Sequence, residues 1–157
     1  MNLKYVEPFK QATNNVLSMM AATEVTFAAA GPRTTAKSFG AITGMIGMTA
    51  AGVSGNMLIS FDEPSILGVI ENLVGERYPN IGQDVIDAVG ELTNMICGGA
   101  KAIFSKEGLV FDMATPAIIV GQGIEIGQVK GQQVVSVLCS TPSGQFVIES
   151  CFVERPL

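Results

Sequence analysis

Residues 84–104 read DVIDAVGELTNMICGGAKAIF, and this stretch predicts one long amphipathic helix. At about 100° per residue, apolar residues and one glycine gather on one side of it: Val85, Val89, Leu92, Ile96, Gly99 and Ile103. The opposite side carries a narrow polar stripe: Asp87, Glu91, Asn94, Gly98 and Lys101. A water-facing stripe normally carries scattered long charged side chains, whereas here a carboxylate and a short carboxamide lie one turn apart and glycine follows. We therefore expect this helix to press its polar stripe against another molecule.

The composition indicates a folded chain with a large core. The 157 residues are 48% hydrophobic and only 15% charged, which is too apolar for disorder. The sparse charge suggests that part of the surface is hidden in an oligomer. With nine basic residues, a net charge of −5 and no basic cluster, nucleic-acid binding is not expected.

Several classes of chemistry are excluded by residue type. The chain has no histidine, which rules out Ser-His and Cys-His nucleophilic schemes and most zinc sites. The three cysteines match no metal or redox spacing and are expected to be buried thiols. No P-loop motif is present, and the glycine-rich residues 121–127 favour a hairpin over a dinucleotide loop.

No membrane or export segment is predicted, and we expect a cytoplasmic protein. The first residues lack a basic start followed by an apolar run. Residues 38–61 are uncharged, but glycines and small polar residues interrupt them, which favours buried strands over a membrane span.

Period and turn signals predict an α/β (α+β) fold in one domain, residues 1–157, with a broad, mainly antiparallel sheet covered by three helices. The predicted helices are residues 5–22, a helix that Asp62 caps, and residues 84–106 closed by Gly108. The predicted strands are residues 25–30, 40–48, 55–61, 109–112, 117–120, 125–129, 133–139 and 145–153. Turns are expected at residues 31–32 and 141–144.

The first helix repeats the pattern of the long helix at an offset of 80 residues. Glu7, Gln11 and Asn14, which we call the echo stripe, correspond to Asp87, Glu91 and Asn94, and the apolar faces have the same phase. The strands of residues 44–61 are echoed more loosely by residues 127–146. We interpret this as an internal duplication with a pseudo-two-fold axis.

Glu91 and Asn94 carry the sharpest chemical hypothesis. Their spacing places both side chains on one side of the helix, with Cβ atoms about 5–6 Å apart. A carboxylate can pair with a partner's lysine, and an amide can hold a water molecule in line with a phosphorus atom. Phosphoryl transfer depends mainly on such positioning, and a side-chain amide performs it in GTPases. From these residues alone, an ordinary solvated face remains the alternative.

Two further interpretations concern neighbouring residues. Asp87 and Glu91 could share a metal ion, but metal cages usually draw their ligands from several elements, and no metal site is predicted. Gly98 could admit a partner's backbone, whereas Gly99, on the apolar face, is expected to permit close packing of the helix on the sheet.

The run from Asp87 to Lys101 resembles the active-site helix of the CheC/CheX/FliY phosphatases. The shared pattern is Asp or Ser, then Glu after three intervening residues, then Asn after two more, with a proline some twenty-odd residues later, near where Pro116 lies. Among these relatives the chain resembles the CheX type most. Two-site relatives carry intact motifs in both halves, whereas here Gln11 stands where the first motif has Glu. The resemblance implies one working site per chain, with Gln11 and Asn14 as a degenerate second site.

The resemblance also implies an activity: hydrolysis of the aspartyl phosphate of a CheY-like response regulator. Asn94 would orient the attacking water, and Glu91 would pair with the regulator's lysine. The docking residues would be Asp87, Met95, Gly98 and Lys101. Mg²⁺ would be bound by the regulator, with no cofactor on this chain, and the protein would form a homodimer whose sheets join.

Three alternatives stay open from the sequence. The same helix could dock on a regulator without catalysis, as a binding module or scaffold. The chain could be a structural subunit like the switch-complex members that share this architecture. A metal-dependent hydrolase built on Asp87 and Glu91 is the third.

Overall fold

A computed structural model describes residues 3–127 and 132–156. After a short 3-10 turn at Leu3–Tyr5, the described part contains three α-helices: α1 (Glu7–Met20), α2 (Glu63–Val74) and α3 (Gln83–Lys106). The strands there are β1 (Thr26–Phe27), β2 (Gly31–Pro32), β3 (Ile42–Ala50), β4 (Val53–Phe61), β5 (Asp112–Met113), β6 (Ala117–Val120), β7 (Val135–Ser140) and β8 (Gln145–Glu154). The predicted α+β class, with three helices on an antiparallel sheet, is confirmed.

The sheet is symmetric about its central pair of strands. β4 and β8 pair antiparallel along nine residues, and each is joined by a hairpin to its outer neighbour, β3 or β7. β1 and β2 then pair with β7, whereas β5 and β6 pair with β3. Each half therefore lends its short strands to the edge of the other half. This exchange is the pseudo-two-fold arrangement that the helix echo predicted.

The offset between the two halves grows along the chain. The β3–β4 hairpin corresponds to β7–β8, so the echo of residues 44–61 lies in Val135–Ser140 and Gln145–Glu154 and not in the predicted residues 127–146. The offset is larger for the strands because the connection between β6 and β7 is longer than the connection between β2 and β3. A constant offset of 80 holds for the helices and is wrong for the strands.

One hydrophobic core lies between the sheet and the helices. Alternate residues of the strands face it because side chains in a strand point to opposite sides by turns. Its largest fully buried side chains include Phe9 of α1, Phe104 of α3, and Phe61 and Phe146 of the two central strands. Burial of such aromatic and aliphatic side chains supplies the main favourable term in folding.

Described parts of the connections that precede β3 and β7 lie on the second face of the sheet and bond to each other. Ser38 N–H donates to the Ile124 carbonyl at 2.7 Å, and Ile126 N–H donates to the Ala36 carbonyl at 2.7 Å. Beneath them the side chains of Arg33 and Glu149 form an ion pair, with Nε 3.4 Å from Oε2 and only 6% and 7% exposure. A buried charge pair thus ties the connection that precedes β3 to β8.

Several local predictions are confirmed. The Asp62 carboxylate accepts from Ser65 N–H at 2.8 Å as the N-cap of α2. Gly108 follows α3 with φ of +86°, a conformation that glycine adopts without strain. The 141–144 turn closes with a bond of 2.8 Å from Thr141 N–H to the Gly144 carbonyl.

Three predicted strands are wrong in extent. Residues 25–30 form only β1, and residues 31–32, predicted as a turn, form β2, because both pieces bond to the edge of β7. Residues 109–112 are largely a helix cap: Leu109 N–H donates to the Phe104 carbonyl, and β5 begins only at Asp112. Of residues 125–129, Glu125 makes a single bridge with Lys37, and residues 128 and 129 lie outside the described residues.

Candidate active site

Helix α3 lies on the sheet with the two faces that the sequence predicts. Val85, Val89, Leu92 and Ile96 are fully buried in the core. Asp87, Glu91 and Asn94 are exposed on the opposite side. The periodicity therefore fixes both the rotation of the helix and the outward direction of the polar stripe.

Glu91 and Asn94 are exposed and unengaged. Within residues 3–127 and 132–156 no side-chain hydrogen bond or ion pair involves either of them. Their i, i+3 spacing places both side chains on the same side of the helix. A carboxylate and a carboxamide thus stand side by side on a convex surface, free to bind groups of another molecule.

Asp87 is held in place by a neighbour that the sequence analysis missed. Gln83 Nε2 donates to Asp87 Oδ1 at 2.8 Å, one turn earlier on the same exposed face. The signal was available, because glutamine and aspartate four residues apart on a helix form such bonds. In the described part of the chain no three acidic or cysteine side chains gather into a metal-binding group.

Gly98, Lys101 and Met95 border the stripe at its C-terminal half. A Cβ atom on Gly98 would meet nothing within 4 Å, so the helix surface is bare there. Lys101 is half-exposed, and Met95 is partly buried against the core. The structure brings these predicted docking residues together with Asp87, Glu91 and Asn94 on one helix.

Two glycines seat α3 closely against its neighbours. A Cβ atom on Gly99 would lie 3.1 Å from the Ala12 Cβ, so Gly99 permits close packing of α3 on α1. The prediction that Gly99 packs on the sheet is wrong. The close approach to the sheet occurs at Gly44 of β3, where an added Cβ would lie 2.2 Å from Thr93 Oγ1. Periodicity alone could not tell which neighbour the buried side of Gly99 would face.

Thr93 lies beneath the turn that carries Glu91 and Asn94. It is fully buried, and its hydroxyl donates to the Val89 carbonyl at 2.7 Å. Thr13 has the same burial on α1 and donates to the Phe9 carbonyl at the same distance. The duplication thus extends to the buried polar group under each stripe.

The echo stripe lies on a separate helix and has different surroundings. Gln11 and Asn14 are exposed and line a surface depression of about 320 Å³ together with Phe27 and Lys10. The Lys10 ammonium is 3.4 Å from a Glu7 carboxylate oxygen and 5.6 Å from the centre of the Phe27 ring. The Lys10 cation therefore lies beside the echo stripe. The equivalent position on α3 is Gly90, which has no charge.

Pro116 and the edge strand β6 lie beside α3. Pro116 is half-buried and directly precedes β6. A Cβ atom on Gly90 would be 4.0 Å from Ile118 Cδ1, an ordinary van der Waals distance, so the helix lies directly beside this strand. The proline and the helix motif, distant in sequence, thus belong to the same side of the molecule.

The cysteines are buried thiols, as predicted. All three are free, and burial raises the pKa of Cys97 far above its usual range and that of Cys139 to about 12. A thiol with such a pKa stays protonated at neutral pH and is a poor nucleophile. None of the described helices is long and apolar enough to cross a bilayer.

Comparison with known proteins decides the family. The family model described as "Chemotaxis phosphatase CheX" matches residues 42–140, which is more than half of the chain and includes Glu91 and Asn94. The chain belongs to the CheX family. The CheX-type resemblance that the helix motif suggested is therefore confirmed.

Individual CheX proteins agree in fold and sequence. The chemotaxis protein CheX from Vibrio vulnificus is 37% identical, covers 96% of this chain and 99% of its own, and superposes with a TM-score of 0.88. The structure of a CheX–CheY–BeF3–Mg²⁺ complex from Borrelia burgdorferi contains a chain 26% identical, covering 98% of this chain and all of its own, with a TM-score of 0.80. A curated "CheY-P phosphatase CheX" from Thermotoga maritima is 28% identical over 83 residues, which is 52% of this chain. The match spans 53%, about half, of that curated relative.

Proposed function

We propose that this protein hydrolyses the aspartyl phosphate of a CheY-like response regulator. The observation that carries the proposal is the exposed, unengaged pair Glu91 and Asn94 on one turn of α3 in a CheX-family chain. The T. maritima relative is named a CheY-P phosphatase, and the B. burgdorferi relative was crystallised with CheY, which supports the same partner class here.

Asn94 is the proposed catalytic amide. Its carboxamide would enter the regulator's phosphorylation site and hold the attacking water in line with phosphorus. Because little covalent help is needed for phosphoryl transfer, fixing the water supplies most of what a protein partner can add. The amide both donates and accepts hydrogen bonds, so it can fix the orientation of a water molecule as well as its position.

Glu91 is the proposed docking carboxylate. It would pair with the regulator's lysine and set the register of the two proteins. Asp87, Met95, Gly98 and Lys101 would form the rest of the contact, with Gly98 giving the partner's backbone room to approach. Mg²⁺ would remain part of the regulator and needs no ligand from α3.

Homodimer formation and a cytoplasmic location are also part of the proposal. β6, as described, pairs on one side only, with β3, and its last residue Val120 is 50% exposed. An edge of this kind can pair with a second chain. Light scattering after size-exclusion chromatography tests the dimer, and a monomeric mass across micromolar concentrations would contradict it.

The decisive experiment follows loss of radiolabelled phosphate from a CheY-like regulator of the same genome. We expect wild-type protein to accelerate the loss and Asn94→Ala to abolish the acceleration, by about 100-fold or more, while the fold stays intact. Glu91→Ala should weaken binding and activity together. Asn14→Ala, at the equivalent position of α1, is the matched control and should keep full activity.

Each contrary outcome has a defined meaning. Full activity of Asn94→Ala would refute the assignment of the catalytic amide. Wild-type protein that binds the regulator treated with Mg²⁺ and BeF3⁻, yet leaves phosphate loss unchanged across all candidate regulators, would show a binding module.

A further inference from the structure

We infer that Thr93 is a positioning residue for the site and that it acts by packing directly on Gly44. This inference rests on the proposed function. Glu91 and Asn94 project from the outer side of one turn of α3. The inner side of the same turn carries Thr93, whose side chain is fully buried against β3.

The first constraint is the contact between Thr93 and Gly44. A Cβ atom on Gly44 would lie 2.2 Å from Thr93 Oγ1, 3.3 Å from its Cβ and 3.4 Å from its Cγ2. A side chain at residue 44 would force the Thr93 side chain, or α3 itself, to shift. Glycine weakens the interior of a strand, and in such a place it marks a close approach of another element. Gly44 lies inside β3 and is paired on both sides, with Ile59 of β4 and Ile118 of β6, so it is a firm support.

The second constraint lies inside the helix. Thr93 Oγ1 donates to the Val89 carbonyl at 2.7 Å, and this bond spans the residues from 89 to 93, which include Glu91. Threonine hydroxyls that bond back to the carbonyl four residues earlier often change the local geometry of a helix. Thr93 Oγ1, which packs against Gly44, is therefore also the atom that shapes the turn bearing Glu91 and Asn94.

These two constraints together fix the outer side of the turn. If Thr93 loses its hydroxyl, the Val89 carbonyl loses one of its hydrogen bonds and the turn is free to relax, which moves Glu91 relative to Asn94. Catalysis by positioning is sensitive to such movement, since a displacement of about 1 Å can cost about 100-fold in rate. Docking is spread over several residues of the stripe and should respond less.

The molecule supplies a matched control in the other half. Thr13 is equally buried and makes the same 2.7 Å bond to Phe9, but it lies under the echo stripe. A purely structural hydroxyl should behave in the same way at both positions. A positioning hydroxyl should affect the reaction only at position 93.

The experiment compares Thr93→Val, Thr93→Ser and Thr13→Val. Thermal unfolding reports stability, titration with a regulator treated with Mg²⁺ and BeF3⁻ reports affinity, and the rate of phosphate loss at saturating phosphatase reports the reaction. We expect Thr93→Val to lower the saturating rate by about tenfold with affinity changed less than about twofold. Thr93→Ser, which keeps the hydroxyl, should retain the rate, and Thr13→Val should retain it despite a similar shift in unfolding temperature.

The inference is overturned if Thr93→Val keeps the wild-type rate, if Thr13→Val lowers the rate as much as Thr93→Val does, or if Thr93→Val loses affinity and rate in the same proportion. If Thr93→Val does not fold, Thr93→Ala replaces it with the same expected outcomes, and Gly44→Ala should lower the rate for the same reason. A wild-type protein without phosphatase activity would instead refute the proposed function, so the two failures are distinguishable.

Discussion

The backbone of Gly99 on α3 lies against the side chain of Ala12 on α1, so closely that a Cβ atom at residue 99 would be 3.1 Å from the Ala12 Cβ. The preceding residue, Gly98, has open space around it, with nothing within 4 Å of an added Cβ. Two adjacent glycines of one helix therefore serve different purposes. Gly99 is required for close packing inside the molecule, whereas no neighbour within the described chain requires a glycine at position 98.

Alanine substitutions at these two positions should change stability in opposite directions. Glycine inside a helix costs about 1 kcal/mol relative to alanine, so Gly98→Ala should raise the free energy of unfolding by about 0.5–1 kcal/mol. Gly99→Ala gains the same propensity but forces α1 and α3 apart, and overpacking of this kind costs about 1–3 kcal/mol. Urea unfolding of both variants measures the difference. Equal stabilisation by both would show that the Ala12 contact gives way easily.

Gly98→Ala should also weaken binding of the regulator. If Gly98 admits the partner's backbone, an added methyl group should raise the dissociation constant by about tenfold, or about 1.4 kcal/mol. Calorimetric titration with a regulator treated with Mg²⁺ and BeF3⁻ gives this value. Because the variant is expected to be more stable than wild type, a loss of affinity cannot come from misfolding. Unchanged affinity would remove Gly98 from the docking surface.

The sequence predicted the helices and the polar stripe well because both follow from one local pattern. The period of apolar residues in 84–104 determines which side of α3 is buried, and Asp62 and Gly108 mark helix ends by local hydrogen bonding and backbone conformation. The long strands β3, β4 and β8 were found for a similar reason, as mostly apolar stretches of strand length between turns.

Features that depend on distant residues were missed or misplaced. β1 and β2 are two residues each and exist only because β7 offers an edge to them. The contact of Thr93 with Gly44 joins residues far apart in sequence. Gly99 packs against helix α1 and not against the sheet. No local pattern carries that information, because tertiary packing decides it.

The buried ion pair of Arg33 and Glu149 leads to a prediction about stability. Burial raises the pKa of the Glu149 carboxyl, and the Arg33 guanidinium opposes this effect. Arg33 Nε is buried without a hydrogen bond although it lies 3.4 Å from the carboxylate, so the pair is imperfectly satisfied. Glu149→Leu alone leaves the arginine charge unpaired and should lower the free energy of unfolding by about 3–5 kcal/mol.

Replacing both partners of that pair should restore most of the loss. In Arg33→Met/Glu149→Leu no buried charge remains, and such replacements are often neutral or stabilising. Denaturant unfolding of the single and double variants measures the coupling between the sites. A double variant whose loss of stability equals the sum of the two single losses would show that the two side chains act independently.

Tyr5 should give the protein a stability that depends on pH in the alkaline range. Burial, and then the hydrogen bond to Glu154, raises the pKa of Tyr5 from 10.0 to about 12. Between these values the folded chain keeps a proton that the unfolded chain has lost, so the contribution of Tyr5 is complete below pH 10 and disappears as the pH rises toward 12. Tyr5→Phe should reduce the fall in the free energy of unfolding with pH in this range, which denaturant unfolding at a series of alkaline pH values measures. Identical alkaline slopes for the two proteins would contradict the assignment.

Adding the missing carboxylate to the echo stripe should not create a second active site. Gln11→Glu would complete the pattern of Glu and Asn on α1, yet Lys10 stands beside it, with its ammonium 3.4 Å from Glu7 and over the Phe27 ring. The equivalent position on α3 is Gly90, which carries no side chain and no charge. A regulator lysine brought to residue 11 would meet a like charge, which opposes docking. We therefore expect Asn94→Ala/Gln11→Glu to remain inactive in the assay of phosphate loss, with wild-type thermal stability as evidence of folding. Recovered acceleration in this double variant would show that a glutamate one turn before asparagine is sufficient, whatever charge lies next to it.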